Sequence, residues 1–190
     1  MKSIDLPLYK KTKRLVIRPL EDYDYENWAQ AYSSLLPPQN EWDETNWDES
    51  ELTKKKFKDL LKEQHKQRQS DEFYSFGIFR KDDGVLLGRV TLMDISRGIF
   101  QNAYLGYQIF NVYWGNGYAQ EACKAVMQLA FKNLKLHRVE AGISPANKKS
   151  IKTAKALGLR KEGVSKRRLH VNGKWTDMEI WALTKEELKK

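Results

Sequence analysis

The hydrophobic positions along the chain change period several times, and each change marks an element. Residues 14–20 gather branched apolar side chains around Leu15, Val16 and Ile17. They predict a strand, stopped by Pro19, which has no N–H for a ladder. Residues 21–35 predict a helix that ends before Pro37 and Pro38, and residues 49–69 a second one, opened by a capping box with Asp48 facing Glu51. Residues 73–80 alternate aromatic and small side chains, Lys81, Asp82, Asp83 and Gly84 carry turn chemistry, and residues 85–93 return as a strand, which makes a β-hairpin. A third antiparallel strand is expected over 100–110. Beyond Gly115, Asn116 and Gly117, the residues Ala122, Val126, Leu129, Ala130 and Leu134 recur at helical spacing, so 118–134 predict a largely buried helix. A strand over 138–143, a helix over 148–157 closed by Gly158, and a hairpin over 163–183 turning at Asn172 and Gly173 complete the pattern.

Hairpins come first in that order and strand–helix–strand units second, so the fold class is α/β (α+β) with a mixed sheet. The 190 residues suit one domain spanning 1–190, with a core over about 12–184 and a short basic tail from Lys185 to Lys190. The formal net charge of +9 favours polyanionic partners such as nucleic acid, ribosomes or nucleotide phosphates. No recognised nucleic-acid motif accompanies it. No run of about 18 apolar residues is present and the segment from Met1 to Arg14 has no apolar core, so a soluble cytoplasmic protein with no membrane partner is expected. Cys123 is the single cysteine, which excludes an internal disulfide, and its place in the helical run reads as core packing. His65, His137 and His170 show no ligand spacing, so a metal-free site is expected.

The sharpest candidate for chemistry is Trp114-Gly-Asn-Gly-Tyr-Ala119, between a strand and a helix. Gly115 and Gly117 permit positive φ, so successive amides can converge on a phosphate with help from the helix dipole. It is no Walker loop, and no third glycine stands at Gln120 to complete a dinucleotide fingerprint. A plain turn is the alternative. Asn147 is an N-cap by position, or a side-chain amide able to bind an extended ligand, and Ser150 one turn later could offer a proton.

Taken together, Gly106-Tyr-Gln-Ile-Phe110, Trp114 to Ala122, His137-Arg-Val-Glu-Ala141, Asn147-Lys-Lys-Ser150 and Leu157 to Gly163 resemble the GCN5-related N-acetyltransferase (GNAT) superfamily. The chain is most similar to its RimJ/RimL branch of ribosomal-protein N-terminal alanine and serine acetyltransferases. That resemblance implies a mostly antiparallel central sheet flanked by helices, acetyl-CoA as co-substrate and direct transfer to an amine with no covalent acyl-enzyme. It also implies that the amides of Gly115, Asn116, Gly117, Tyr118 and Ala119 cradle the pyrophosphate, although Trp114 departs from the usual first residue of this loop. Gln108, Ile109 and Phe110 would run along the cofactor, Asn147 would bond pantetheine, and Ser150 would protonate the departing thiolate.

Acceptor and base are less defined. Glu140 is a candidate base, although a salt bridge to a neighbouring arginine or lysine is the favoured reading of it, with Asp177 as a rival base; Tyr104 stands where many relatives carry a glutamate. Tyr107 could line the acyl site or pack. Between Gln39 and Glu51 the chain carries Glu41, Asp43, Glu44, Asp48, Glu49 and Glu51 with Trp42 and Trp47 and no basic residue. In the family this connection borders the acceptor, so Glu41, Asp43 and Glu44 would attract a cationic peptide and Trp42 and Trp47 would wall it, unless the loop is solvated and its tryptophans pack on the core. The acceptor implied is a protein N-terminus, such as that of a ribosomal protein, with ribosome association. The alternatives are a small amine (a polyamine, aminoglycoside or amino acid) and a catalytically silent ribosome- or RNA-binding module. Monomer and homodimer both remain open.

Overall fold

The computed structural model describes residues 8–44, 47–171 and 173–188. Its strands are β1 (Lys10–Lys11), β2 (Leu15–Arg18), β3 (Tyr74–Arg80), β4 (Leu86–Ser96), β5 (Asn102–Ile109), β6 (Arg138–Ile143), β7 (Arg160–Val171) and β8 (Lys174–Thr184). Its helices are α1 (Tyr25–Ser33), α2 (Lys54–Gln69), α3 (Tyr118–Lys132) and α4 (Lys148–Ala156). The strands form one sheet in the order β1-β2-β3-β4-β5-β6-β8-β7. Only β5 and β6 run parallel.

The alternation in β2 assigns the two faces. Leu15 and Ile17 point to a core shared with α3, where Ala122, Cys123, Val126, Met127 and Ala130 are fully buried. Val16 points to the other face, where Trp28 and Tyr32 of α1 and Phe57 of α2 pack on Phe79, Leu86 and Phe110. Cys123 is therefore a core side chain, and burial pushes its thiol well above the ordinary range.

Four expectations are corrected. β1 carries only lysines and shows no apolar period, yet Lys10 and Lys11 pair with Ile17 and Val16. The second helix does not open at 49. Asp48 instead caps a separate 3-10 turn, Glu49–Glu51, by accepting from the Ser50 N–H at 2.8 Å, and α2 starts after Thr53, whose Oγ1 accepts from the Lys56 N–H at 3.2 Å. Leu52 between them turns into the core, which breaks the helix. The last hairpin begins at Arg160 rather than 163 and closes with Val171 opposite Lys174; Gly173 takes φ +77° and Asn172 lies outside the described residues. The tail opens as a 3-10 turn, Lys185–Glu187, whose Glu187 binds Arg160, and Lys189 and Lys190 lie outside the described residues.

Two features shape the working end of the sheet. Gly88 of β4 has φ +152°, and a Cβ there would stand 2.1 Å from the Gln108 carbonyl oxygen, so only glycine lets β4 and β5 close at this point. β5 pairs with β4 through to Ile109↔Gly88, whereas its pairing with β6 stops at Tyr104↔Glu140. β6 continues along β8 as far as Ile143. From Leu105 to Ile109, β5 thus has a strand on one side and a gap on the other.

Candidate active site

The gap opens into a cavity of about 550 Å³, lined by Tyr107, Gln108 and Ile109 of β5, the turn from Tyr113 through Gln120, Asn147, Ser150 and Thr153 around α4, and Asn40, Trp42 and Asp43 from the α1–α2 connection. Among the described residues that line it, Asp43 is the only carboxylate, while Lys149 and Lys152 supply positive charge.

The turn between β5 and α3 is built by its glycines. Gly115 and Gly117 hold φ +81° and +74°, and Gly117 is the N-cap of α3 with no side-chain cap. The first intrahelical bond runs from the Glu121 N–H to the Gly117 carbonyl. The amides of Tyr118, Ala119 and Gln120 are consequently left to a ligand, at the positive end of the dipole. Arg14, just before β2, stiffens this turn: its guanidinium donates to the Asn116 carbonyl at 2.8 Å and to Glu121 Oε2 at 2.7 Å, and it covers the Tyr118 ring. Burial works to raise the Glu121 carboxyl, but Thr12 and Arg14 outweigh it and hold it below the ordinary range.

Trp114 is committed within the protein. Its indole N–H donates to the Ile109 carbonyl at 2.7 Å, and Lys149 Nζ lies 3.9 Å from its ring centroid. Asn147 caps α4, Oδ1 accepting from the Ser150 N–H at 3.0 Å, and its amide NH₂ makes no hydrogen bond among the described residues. Ser150 Oγ is 2.7 Å from Tyr107 Oη. Burial pushes the Tyr107 hydroxyl up to about 12, so it is protonated at neutral pH.

Several predicted site residues fall elsewhere. Phe110 does not run along the gap: its side chain is buried against Tyr32 with ring centroids 5.1 Å apart, its N–H donates to the Leu87 carbonyl, and its carbonyl accepts from Tyr113. Glu140 lies outside the cavity lining, at the last β5–β6 pair, bonded to Arg138 at 2.7 Å and to Asn102. Burial favours its neutral form, but Arg138, Tyr104 and Asn102 hold the carboxyl below the ordinary range. Asp177 accepts from Lys166 at 2.8 Å and from the Arg167 N–H, which likewise depress it. In the acidic loop, Trp42 and Asp43 line the cavity; Trp47 does not wall it but packs on Trp28 and Tyr32 with ring centroids 5.6 and 5.0 Å apart, Glu41 is exposed and outside it, and Glu44 binds Arg89 of β4 at 2.9 Å. Asn111 fixes the root of this loop, its side chain bonding both the N–H and the carbonyl of Leu36. Sequence reasoning missed Asn40, Tyr113, Gln120, Lys149, Lys152 and Thr153 as lining residues. Only Lys149, Lys152 and Thr153 had a usable signal, their spacing after Asn147 on a predicted helix.

A family model described as the acetyltransferase (GNAT) domain matches residues 14–160. The chain belongs to the GNAT acetyltransferase family. It is 34% identical over 173 residues to the Bacillus subtilis protein named "Probable N-acetyltransferase YjcK", covering 91% of this chain and 95% of that one. It is 32% identical over 176 residues to the Escherichia coli [ribosomal protein uS5]-alanine N-acetyltransferase, covering 91% and 89%. The fold matches that of Mycobacterium smegmatis RimJ in complex with CoA-disulfide at a TM-score of 0.76, with 24% identity over 93% of this chain and 84% of that one. These likenesses group the protein with the RimJ/RimL branch of GNAT. This GNAT chain is thus an acetyl-CoA-dependent N-acetyltransferase, and its cavity fits that co-substrate. Uncapped amides with Lys149 and Lys152 could hold phosphates, and the open β5 edge could pair with an extended amide chain. Among the described residues no helix is long and apolar enough to cross a membrane, and no group of three or more His, Cys, Asp or Glu could hold a metal ion.

Proposed function

We propose that the protein acetylates the N-terminal α-amine of another protein, a ribosomal protein being the favoured acceptor. The observation that carries this reading is that no carboxylate among the described residues of the cavity is uncommitted: its one carboxylate, Asp43, accepts from the Gln39 N–H of its own loop at 2.6 Å, and Glu140 and Asp177 are paired with cations outside it. An α-amine of pKa 7.7 to 8.0 is roughly 10 to 20% neutral at pH 7, whereas a lysine is under about 0.1% neutral. A site without a strong base therefore suits the former. The name of the Escherichia coli relative supports the same acceptor class, and the net charge of +9 favours approach to RNA-rich ribosomes.

In this reading the Gly115–Ala119 amides hold the pyrophosphate of acetyl-CoA, Gln108 and Ile109 pair with its pantetheine arm, and Asn147 bonds one of its amides. The acceptor enters past Trp42 and Asp43. Its neutral nitrogen attacks the thioester carbonyl, and Ser150 gives the departing sulfur a proton. The test is kcat/KM for peptides beginning with alanine or serine against the same peptides N-terminally blocked with an internal lysine, and against spermidine. The reading predicts at least tenfold preference for the free α-amine. Faster turnover of spermidine or of the internal lysine contradicts it.

A further inference from the structure

Tyr107 and Ser150 stand on opposite arms of the opened sheet, one on β5 and the other in the first turn of α4, the helix that follows β6. β5 and β6 have already parted at Tyr104↔Glu140, so the 2.7 Å contact between Tyr107 Oη and Ser150 Oγ bridges the gap. Tyr107 Oη also lies 3.2 Å from the Ser150 carbonyl oxygen. Ser150 is thereby held from two sides, its main-chain N–H by Asn147 and its oxygens by Tyr107. A serine hydroxyl in a helix otherwise rotates among staggered positions or turns back to its own helix carbonyls.

The proton inventory gives this bridge a direction. A neutral phenol has one hydrogen to donate and lone pairs to accept with. If Tyr107 donates to Oγ, the serine's own hydrogen is free for the cavity. If Tyr107 turns to the carbonyl at 3.2 Å, Oγ–H points back at the phenol instead. The 2.7 Å contact is common to both arrangements; the first is the one that leaves the serine hydrogen available to a ligand in the cavity.

We propose that Tyr107 is a positioning residue for proton delivery: by donating to Ser150 Oγ it aims the serine O–H at the sulfur of the thioester. This rests on the reading of Ser150 as the proton donor. As the C–S bond breaks, its electron pair goes to sulfur and the Oγ proton follows; the proton lost by the acceptor nitrogen as the C–N bond forms returns to Oγ. Tyr107 keeps its proton throughout.

The test is a double-mutant cycle of Tyr107→Phe and Ser150→Ala, run with whichever of an alanine-starting peptide, a serine-starting peptide or spermidine the enzyme acetylates fastest. Two thioesters are used, acetyl-CoA and the acetyl thioester of a more acidic aromatic thiol. With acetyl-CoA, Ser150→Ala is expected to lower kcat about 100-fold and Tyr107→Phe about tenfold, with KM for acetyl-CoA within about twofold. In the Ser150→Ala background Tyr107→Phe should add less than about twofold. The acidic thiol leaves without help, so it should abolish most of both deficits; a merely structural loss would persist with either thioester. Additive losses, or wild-type kcat in Tyr107→Phe beside a slow Ser150→Ala, overturn the positioning role and leave the serine reading standing. Wild-type kcat in Ser150→Ala removes both.

Discussion

The Trp114 indole N–H donates to the Ile109 carbonyl at 2.7 Å, tying the glycine turn to the last residue of the open strand. The distance between that strand edge and the uncapped amides is thereby fixed. Trp114→Phe keeps a ring for Lys149 to cover but leaves the carbonyl without its donor. We predict a threefold to tenfold rise in KM for acetyl-CoA with kcat within about twofold, measured by steady-state kinetics.

Asn147 serves the helix through Oδ1, and its amide NH₂ makes no hydrogen bond among the described residues. Asn147→Ala should lower stability by about 1 kcal/mol through loss of the cap and also weaken acetyl-CoA binding. Asn147→Asp keeps an acceptor for the Ser150 N–H, removes the donor and adds a negative charge that the helix N-terminus favours, so its unfolding midpoint should stay at or above wild type while binding falls at least as far. Denaturant melts beside calorimetric titrations separate the two roles.

Much of this site could be read before any fold was known. The glycine turn and the buried face of α3 are local signals, because positive φ and helical period need no distant partner. The parting of β5 and β6 is not local. Residues 100–110 and 138–143 each read as strands, but nothing along either one says that pairing ends at Tyr104 and Glu140. Phe110 sits where β5 ends and the chain turns, so strand alternation could not assign its ring to the core around Tyr32. The start of α2 was misjudged for a different reason: Asp48 and Thr53 are both good caps five residues apart, and the inward turn of Leu52 decides between them.

Glu140 is held by Arg138 and Asn102 away from the cavity, so Glu140→Gln should leave the pH profile of kcat/KM unchanged between pH 6 and 9. A general base at this position would instead cost about 100-fold or more. Its folded carboxyl lies below the ordinary 4.5. The stabilisation is therefore fully present above that pH and is lost as pH falls through the lower folded value. Glu140→Gln should lower Tm at pH 7, and the difference from wild type should shrink below about pH 4.5 in thermal melts.

Asp43 and Glu44 are neighbours with different fates, one facing the cavity and one bound to Arg89. Asp43→Asn is expected to raise KM about threefold for an acceptor peptide with basic residues after its first position, in line with the ~0.5–1 kcal/mol of a partly exposed charge pair. KM for a peptide without basic residues should not move. Glu44→Gln should not discriminate between the two peptides, because its charge is already matched within the fold.

The account stands on acetyl-CoA lying in the gap beside β5 with its pyrophosphate on the Gly115–Ala119 turn. Calorimetric titration of acetyl-CoA into wild type, Gly117→Glu and Gly84→Glu tests it most directly. Gly84 takes φ +75° on another turn, where an added Cβ would meet nothing within 4 Å, so its variant shares the backbone strain of Gly117→Glu, at φ +74°, without touching the cavity. Micromolar binding to wild type and Gly84→Glu, weakened at least 100-fold in Gly117→Glu, is the predicted result. Equal binding to all three would contradict the site.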